Sequence, residues 1–165
     1  MQLDTPFTRH AGVATPLICG AMYPCSNPEL VAAVSAAGGI GIVQPISLTY
    51  VFRHDLREGL RLIRRITDKP IGFNVVVEKT AKSYENRMRA WVDVALEEGV
   101  KFFITALGNP RWVVEKVHAA GGIVYHDVTA REWAQKAIAG GVDGLICVNT
   151  RAGGHAGHRR PDKSV

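Results

Sequence analysis

Short apolar runs alternate with amphipathic stretches along the whole chain. The runs PLICGAM, GIGIV, IGFNVVV, KFFITA, GIVYHDV and DGLICVN lack a clean polar–apolar alternation, the pattern of strands covered on both faces. They predict strands at about 16–22, 39–44, 70–77, 101–106, 122–127 and 143–148. Between them the period changes to that of a helix. Met88, Trp91, Val92, Ala95 and Leu96 trace one face, as do Trp133, Ala134, Ala137 and Ile138. These Trp and Met side chains read as helix packed on sheet. Asn27-Pro28 and Asn109-Pro110 each place a capping residue before a proline at the first helical position, and Thr129 with Glu132 spells a capping box.

A repeated junction organises these elements. Ala36-Ala37-Gly38-Gly39-Ile40 recurs letter for letter as Ala119-Ala120-Gly121-Gly122-Ile123, with looser copies at Glu97-Glu98-Gly99-Val100 and Ala139-Gly140-Gly141-Val142. Glycine just past a helix end enters the left-handed region that stops the helix, and the apolar run that follows reads as a buried strand. Helix and strand therefore alternate, which calls for a parallel sheet. Two architectures satisfy that, a doubly wound open sheet or a (β/α)8 barrel. Units of similar size with near-identical junctions favour the barrel. Such a barrel has eight strands and about 250 residues, whereas this 165-residue chain supplies six. The expectation is an α/β fold of (β/α)8 TIM-barrel type with about six of its eight units present. Residues 1–165 then form one incomplete domain whose first and sixth strands expose unpaired edges.

Composition narrows the class. A chain that is 47% hydrophobic and 21% charged is not disordered. It has no run of about 20 apolar residues to cross a membrane, and its N-terminus lacks a secretory pattern, so a cytoplasmic protein is expected. The net charge of +5 comes from scattered Lys and Arg, as on solvated helix faces, so no nucleic-acid partner is expected. Nitrogen is locally dense at the C-terminus, at Arg151, His155, His158, Arg159, Arg160 and Lys163. Cys19, Cys25 and Cys147 have no metal-ligand spacing and read as reduced thiols, with no metal site.

In both architectures ligands bind at the carboxyl ends of the strands. The residues there are Gly20, Ala21 and Met22, then Gln44 and Pro45, then Thr105, Gly108 and Asn109, then His126 and Asp127. Asn74 lies within the third strand, where a buried amide needs partners that a ligand can supply. The sixth strand opens into Asn149-Thr150-Arg151-Ala152-Gly153-Gly154-His155. Gly153-Gly154 lets backbone approach a ligand closely, and His155 is placed to act as a base near neutral pH. The plain alternative is a glycine-rich surface loop with incidental histidines. His155 and His158 have no accompanying carboxylate and do not make a metal pair. Gly39-Ile40-Gly41 is a helix-to-strand turn, since no helix follows it as a dinucleotide fingerprint requires. His126 either takes part in catalysis or caps its strand through a backbone bond, and Cys19 and Cys147 read as small core residues.

The segments PLICGAMYPCSNPELVAAVSAAGGIGIV, PIGFNVV and AGGIVYHDVTAREWAQKAIAGGVDGLICVNTRAGGHAGH occur in collinear order from about Pro16 to His158. Together they resemble the nitronate monooxygenase family, formerly called 2-nitropropane dioxygenase. AGGHAG is the most specific piece. The resemblance implies an FMN enzyme on a (β/α)8 barrel. It implies oxidative denitrification of nitroalkanes or alkyl nitronates with O2 to a carbonyl compound and nitrite. His155 would be the base that takes the α-proton. Ala21 and Met22 would lie against the isoalloxazine, Asn74 would contact the flavin, and Gly153 and Gly154 would offer backbone contacts. Some features depart from the family pattern. Gly20-Ala21-Met22 stands where Ala-Pro-Met is common, and Arg151 where Glu is common. Val148 falls where a Gln or Asp flavin ligand is common, with Asn149 as its substitute. Related flavin barrels, an enoyl-acyl-carrier-protein reductase among them, share much of the pattern and reduce a double bond with NAD(P)H. A truncated chain suggests weak FMN retention and a partner segment or self-association to complete the barrel. The competing class is a non-catalytic remnant that pairs through its open sheet edges.

Overall fold

The computed structural model describes residues 3–78, 81–154, 156–157 and 160. Helix α1 (Pro6–Ala11) is followed by strand β1 (Ile18–Cys19), α2 (Pro28–Ala36) and β2 (Ile40–Val43). A π-helical turn at Ser47–Val51 leads into α3 (Leu56–Ile66), β3 (Ile71–Val76), α4 (Lys82–Glu97) and β4 (Phe102–Ala106). The chain continues through α5 (Arg111–Ala119), β5 (Ile123–Val128), α6 (Arg131–Ala139) and β6 (Gly144–Cys147).

All strand pairs are parallel, and the order across the sheet is β1-β2-β3-β4-β5-β6. A right-handed crossover repeated without reversal carries each new strand to the same side, so the sheet curls and keeps its crossover helices on one face. The result is a curled half-barrel of TIM-barrel type, and the doubly wound alternative is excluded because the strand order never reverses.

The two faces of the sheet carry different cores. Val43, Phe73, Val75, Phe103 and Val124 point outward into the layer shared with Leu60, Ile63, Val92, Val113 and Val117 of the helices. Ile40, Ile42, Phe102, Ile104 and Tyr125 point inward, where α1 closes one end with Ala11 and is packed by Phe7. The ring of Tyr125 stacks near Phe102, Phe7 and His10, and its hydroxyl lies 3.1 Å from His10 Nδ1. Gly144 makes room for that ring, since a Cβ there would come within 2.4 Å of it.

The junction glycines behave as the repeat requires. Gly38 and Gly121 sit at φ 95° and 70°, just beyond α2 and α5. Asn27 caps α2 by accepting from Leu30 N–H at 2.7 Å. Three expectations need correction. β1 is limited to two residues instead of 16–22, because among the described residues it has β2 alone as a neighbour. The α5 cap is shifted: the helix begins at Arg111, and Asn109 Oδ1 accepts from Arg111 N–H at 3.0 Å. The Thr129–Glu132 capping box does not form, since α6 starts after Ala130 with no side-chain cap bond. Helix α1, capped reciprocally by Thr5 and Thr8, and the π-helical turn carry no pattern that the apolar periodicity reveals.

Candidate active site

The carboxyl ends of the strands bring together groups that are far apart in sequence. Asn74 follows Phe73 in β3, and its pairing with Ile104 of β4 puts its amide on the concave face. It is 8% exposed, and among the described residues its side chain makes no hydrogen bond. An amide whose donors and acceptor are unused within the described residues is open to a ligand on that face. Gln44 follows β2 directly, level with Asn74 by extension of the Val43–Phe73 pairing. Its Oε1 accepts from Ile46 N–H at 3.1 Å, which holds the chain where it enters the π-helical turn.

Ala21 and Met22 lie just beyond β1. Ala21 packs on the inner core, whereas Met22 is 43% exposed. The Met22 amide donates to Ser26 Oγ at 2.9 Å, and the Met22 carbonyl accepts from Ser26 N–H at 2.8 Å, so this turn is closed on itself. Beyond β6, Asn149 Oδ1 accepts from Arg151 N–H at 2.9 Å and its carbonyl accepts from Ala152 N–H at 3.1 Å. That Asn149 side chain shapes the loop and keeps its NH2 for another acceptor. Gly153 and Gly154 are exposed, and a Cβ at either meets no atom within 4 Å. Gly154 takes φ 69°, so the need for glycine there is conformational. His155 lies outside the described residues, as do His158, Arg159 and Lys163.

His126 is buried on the helix side of β5. Thr105 Oγ1 lies 3.1 Å from the Tyr125 carbonyl and 2.8 Å from His126 Nδ1. With the hydroxyl proton given to the carbonyl, Nδ1–H donates to Thr105. Burial lowers the His126 pKa, which favours the neutral ring. The Thr105 backbone also hydrogen-bonds the ring, which is the kind of bond that the capping alternative expects. Asp127, the next residue, is pushed up to about 6 by burial.

His126, Asp127, Val128 and Thr129 line one side of a cleft of about 700 Å3 that the sequence does not announce. Leu107–Arg111 form one wall, and Trp133, Lys136 and Ala137 of α6, with Gly140 just beyond it, form the other. Trp133 and Ile138 were expected to pack on the sheet but are 49% and 60% exposed. Ala134 and Ala137 make the buried contact instead, and Trp133 faces the cleft. Among the described residues there is no cluster of His, Cys, Asp or Glu able to hold a metal ion, and no helix is long and apolar enough to cross a membrane.

The sequence model of the nitronate monooxygenase family matches residues 4–165. The chain belongs to the nitronate monooxygenase family. Within it, a nitronate monooxygenase of Pseudomonas aeruginosa is 30% identical, over 95% of this chain and 53% of its own. A (3aS,4S,5R,7aS)-5-hydroxy-7a-methyl-1-oxo-octahydro-1H-indene-4-carboxyl-CoA dehydrogenase of Rhodococcus jostii is 29% identical, over 94% of this chain and 41% of its own. Among solved structures, FabK from Thermotoga maritima superposes with a TM-score of 0.77 at 28% identity, covering 95% of this chain and 48% of that one. The chain spans about half the length of the relatives it matches. The family is one of oxidoreductases, and the half-barrel is the part of its fold that this chain carries.

Proposed function

We propose that this chain forms the catalytic half of an FMN-dependent oxidoreductase that converts alkyl nitronates or nitroalkanes, with O2, to carbonyl compounds and nitrite. The observation that carries the reading is Asn74: a buried amide on the concave face, without a partner among the described residues, toward the carboxyl ends of the strands where barrels of this type bind ligands. Its NH2 and Oδ1 fit the hydrogen-bonding edge of an isoalloxazine. Ala21 and Met22 offer it an apolar wall, and Gly153 and Gly154 offer backbone N–H groups with no side chain in the way. Asn149 supplies a further NH2.

FMN, when bound, supplies the electron transfer, and the protein supplies position and proton transfer. His155 takes the α-proton of a nitroalkane or faces the nitronate carbon. A nitro group makes that C–H acidic enough for an imidazole to accept its proton near neutral pH. The reading places the enzyme in the cytoplasm, which suits the free thiols of Cys19, Cys25 and Cys147. It also has the open edges of the sheet completed by a second segment or copy. The direct test is nitrite release from a nitroalkane: His155→Ala is expected to abolish it while leaving flavin binding intact, and undiminished release would refute the assignment.

A second reading, oxidation or reduction beside an acyl thioester, is favoured by a specific observation. The match to the indene-carboxyl-CoA dehydrogenase needs 155 aligned positions to cover 94% of this chain. The match to the Pseudomonas nitronate monooxygenase needs 192 positions for 95%, so that relative carries internal segments which this chain lacks. Turnover of an acyl-CoA without nitrite release would select this second reading.

A further inference from the structure

We infer that the cleft between α5 and α6 binds the adenosine-phosphate end of a nucleotide-bearing co-substrate. The inference rests on the oxidoreductase reading for the use of such a co-substrate, although the binding itself does not. At about 700 Å3 the cleft lies within the range of small-molecule sites, roughly 300–1,000 Å3. Trp133, Lys136, Ala137 and Gly140 recur at helical spacing, so they share one face of α6 and its continuation. Ala137 and Gly140 give that wall depth, while Trp133 presents a half-exposed indole. Lys136 Nζ sits 4.3 Å from the centre of the Trp133 ring, so stacking surface and cation are adjacent.

The opposite wall presents an exposed apolar side chain, an amide and a cation. Leu107 adopts φ 61°, rare for a side chain of its size, and is 63% exposed. Asn109 Oδ1 is taken by Arg111 N–H, which leaves its NH2 to donate to a base or ribose. Arg111 adds a second cation, which pairs with Glu115 at 3.6 Å where both side chains are largely exposed and the pairing is weak. Among the described lining residues the cations Arg111 and Lys136 face a single carboxyl, Asp127, so positive charge is in excess in the cleft. Phosphate alone would leave Trp133 and Leu107 uncovered, and an acyl chain would leave Lys136 and Arg111 unused. A planar base with phosphates uses all four. Coenzyme A and pyridine dinucleotides both carry that group.

The test is calorimetric titration of the full chain, in about 0.1 M salt, with adenosine 3′,5′-bisphosphate, adenosine 2′,5′-bisphosphate, ADP and inorganic phosphate. Saturable binding of an adenine nucleotide is expected, with at least about a tenfold loss (~1.4 kcal/mol) in both Trp133→Ala and Lys136→Gln. These positions are exposed, so a far-ultraviolet circular dichroism spectrum is expected to stay unchanged. Preference for the 3′-phosphate identifies a thioester of coenzyme A, and preference for the 2′-phosphate a dinucleotide. Absence of saturation at about 1 mM, phosphate binding as tightly as the nucleotides, or indifference to both substitutions overturns the inference. Because no flavin or turnover is involved, a nucleotide-binding but inactive chain would sink the activity and keep the cleft.

Discussion

Asn74 and Asp127 are polar side chains held in the sheet, and for Asp127 burial carries a cost in stability. Asn74 could be singled out from sequence, because an amide inside an apolar strand has no local partner. Asp127 stands among the strand-end residues legible in the sequence, but its burial is set by packing around β5, where it pairs with Ile146 of β6, and not by local pattern. Its carboxyl titrates near 3.8 when free and about 6 in the folded chain. Between those values the folded state holds the proton more tightly, so this group's contribution falls as pH rises from about 4 to about 7. Two pKa units correspond to about 3 kcal/mol, an upper bound for a carboxyl that is not fully buried. Asp127→Asn is therefore expected to stabilise the chain at pH 7 by up to about 3 kcal/mol and to be near-neutral at pH 4. Urea denaturation at both pH values measures this, and equal effects at the two would contradict it.

At the scale of elements, the glycine-marked junctions explain why the strands were legible. The apolar runs of β2, β4, β5 and β6 each have such a terminator before them, and β2 to β6 fall where the predicted runs do. What escaped depended on few residues or on neighbours. Six residues of α1 are held by a Thr5–Thr8 cap, and β1 is short because pairing, not propensity, sets its length. The close approach of α2 to β2 gives a sharp prediction. A Cβ on Gly41 would come within 2.2 Å of the Val31 carbonyl oxygen, which sits in backbone and cannot turn aside. Gly41→Ala should cost about 3 kcal/mol or more by forcing α2 off the sheet. Gly153→Ala, with open space around it, should change stability by less than about 0.5 kcal/mol. Thermal or chemical unfolding of the pair checks the contrast.

At the scale of the molecule, unit size and repeated junctions foretold a barrel-type winding, and the sequential strand order agrees. The α5–α6 cleft was hidden, because Trp133 and Ile138 fit a core-facing pattern and only the packed fold shows them exposed. Leu17, Met22 and Tyr23 beside β1, with Ile138 on α6, leave apolar surface near both sheet edges. Sedimentation equilibrium of the chain is expected to show concentration-dependent association, and a strictly monomeric folded chain would contradict pairing through those edges. The central claim is that the concave end of this half-barrel holds a flavin through Asn74. Titrating FMN into the 165-residue chain and following flavin fluorescence tests it most directly. The account predicts saturable quenching that Asn74→Ala weakens at least about tenfold, or ~1.4 kcal/mol. A folded chain with no saturable quenching up to about 1 mM FMN, or one whose affinity ignores Asn74→Ala, would contradict it.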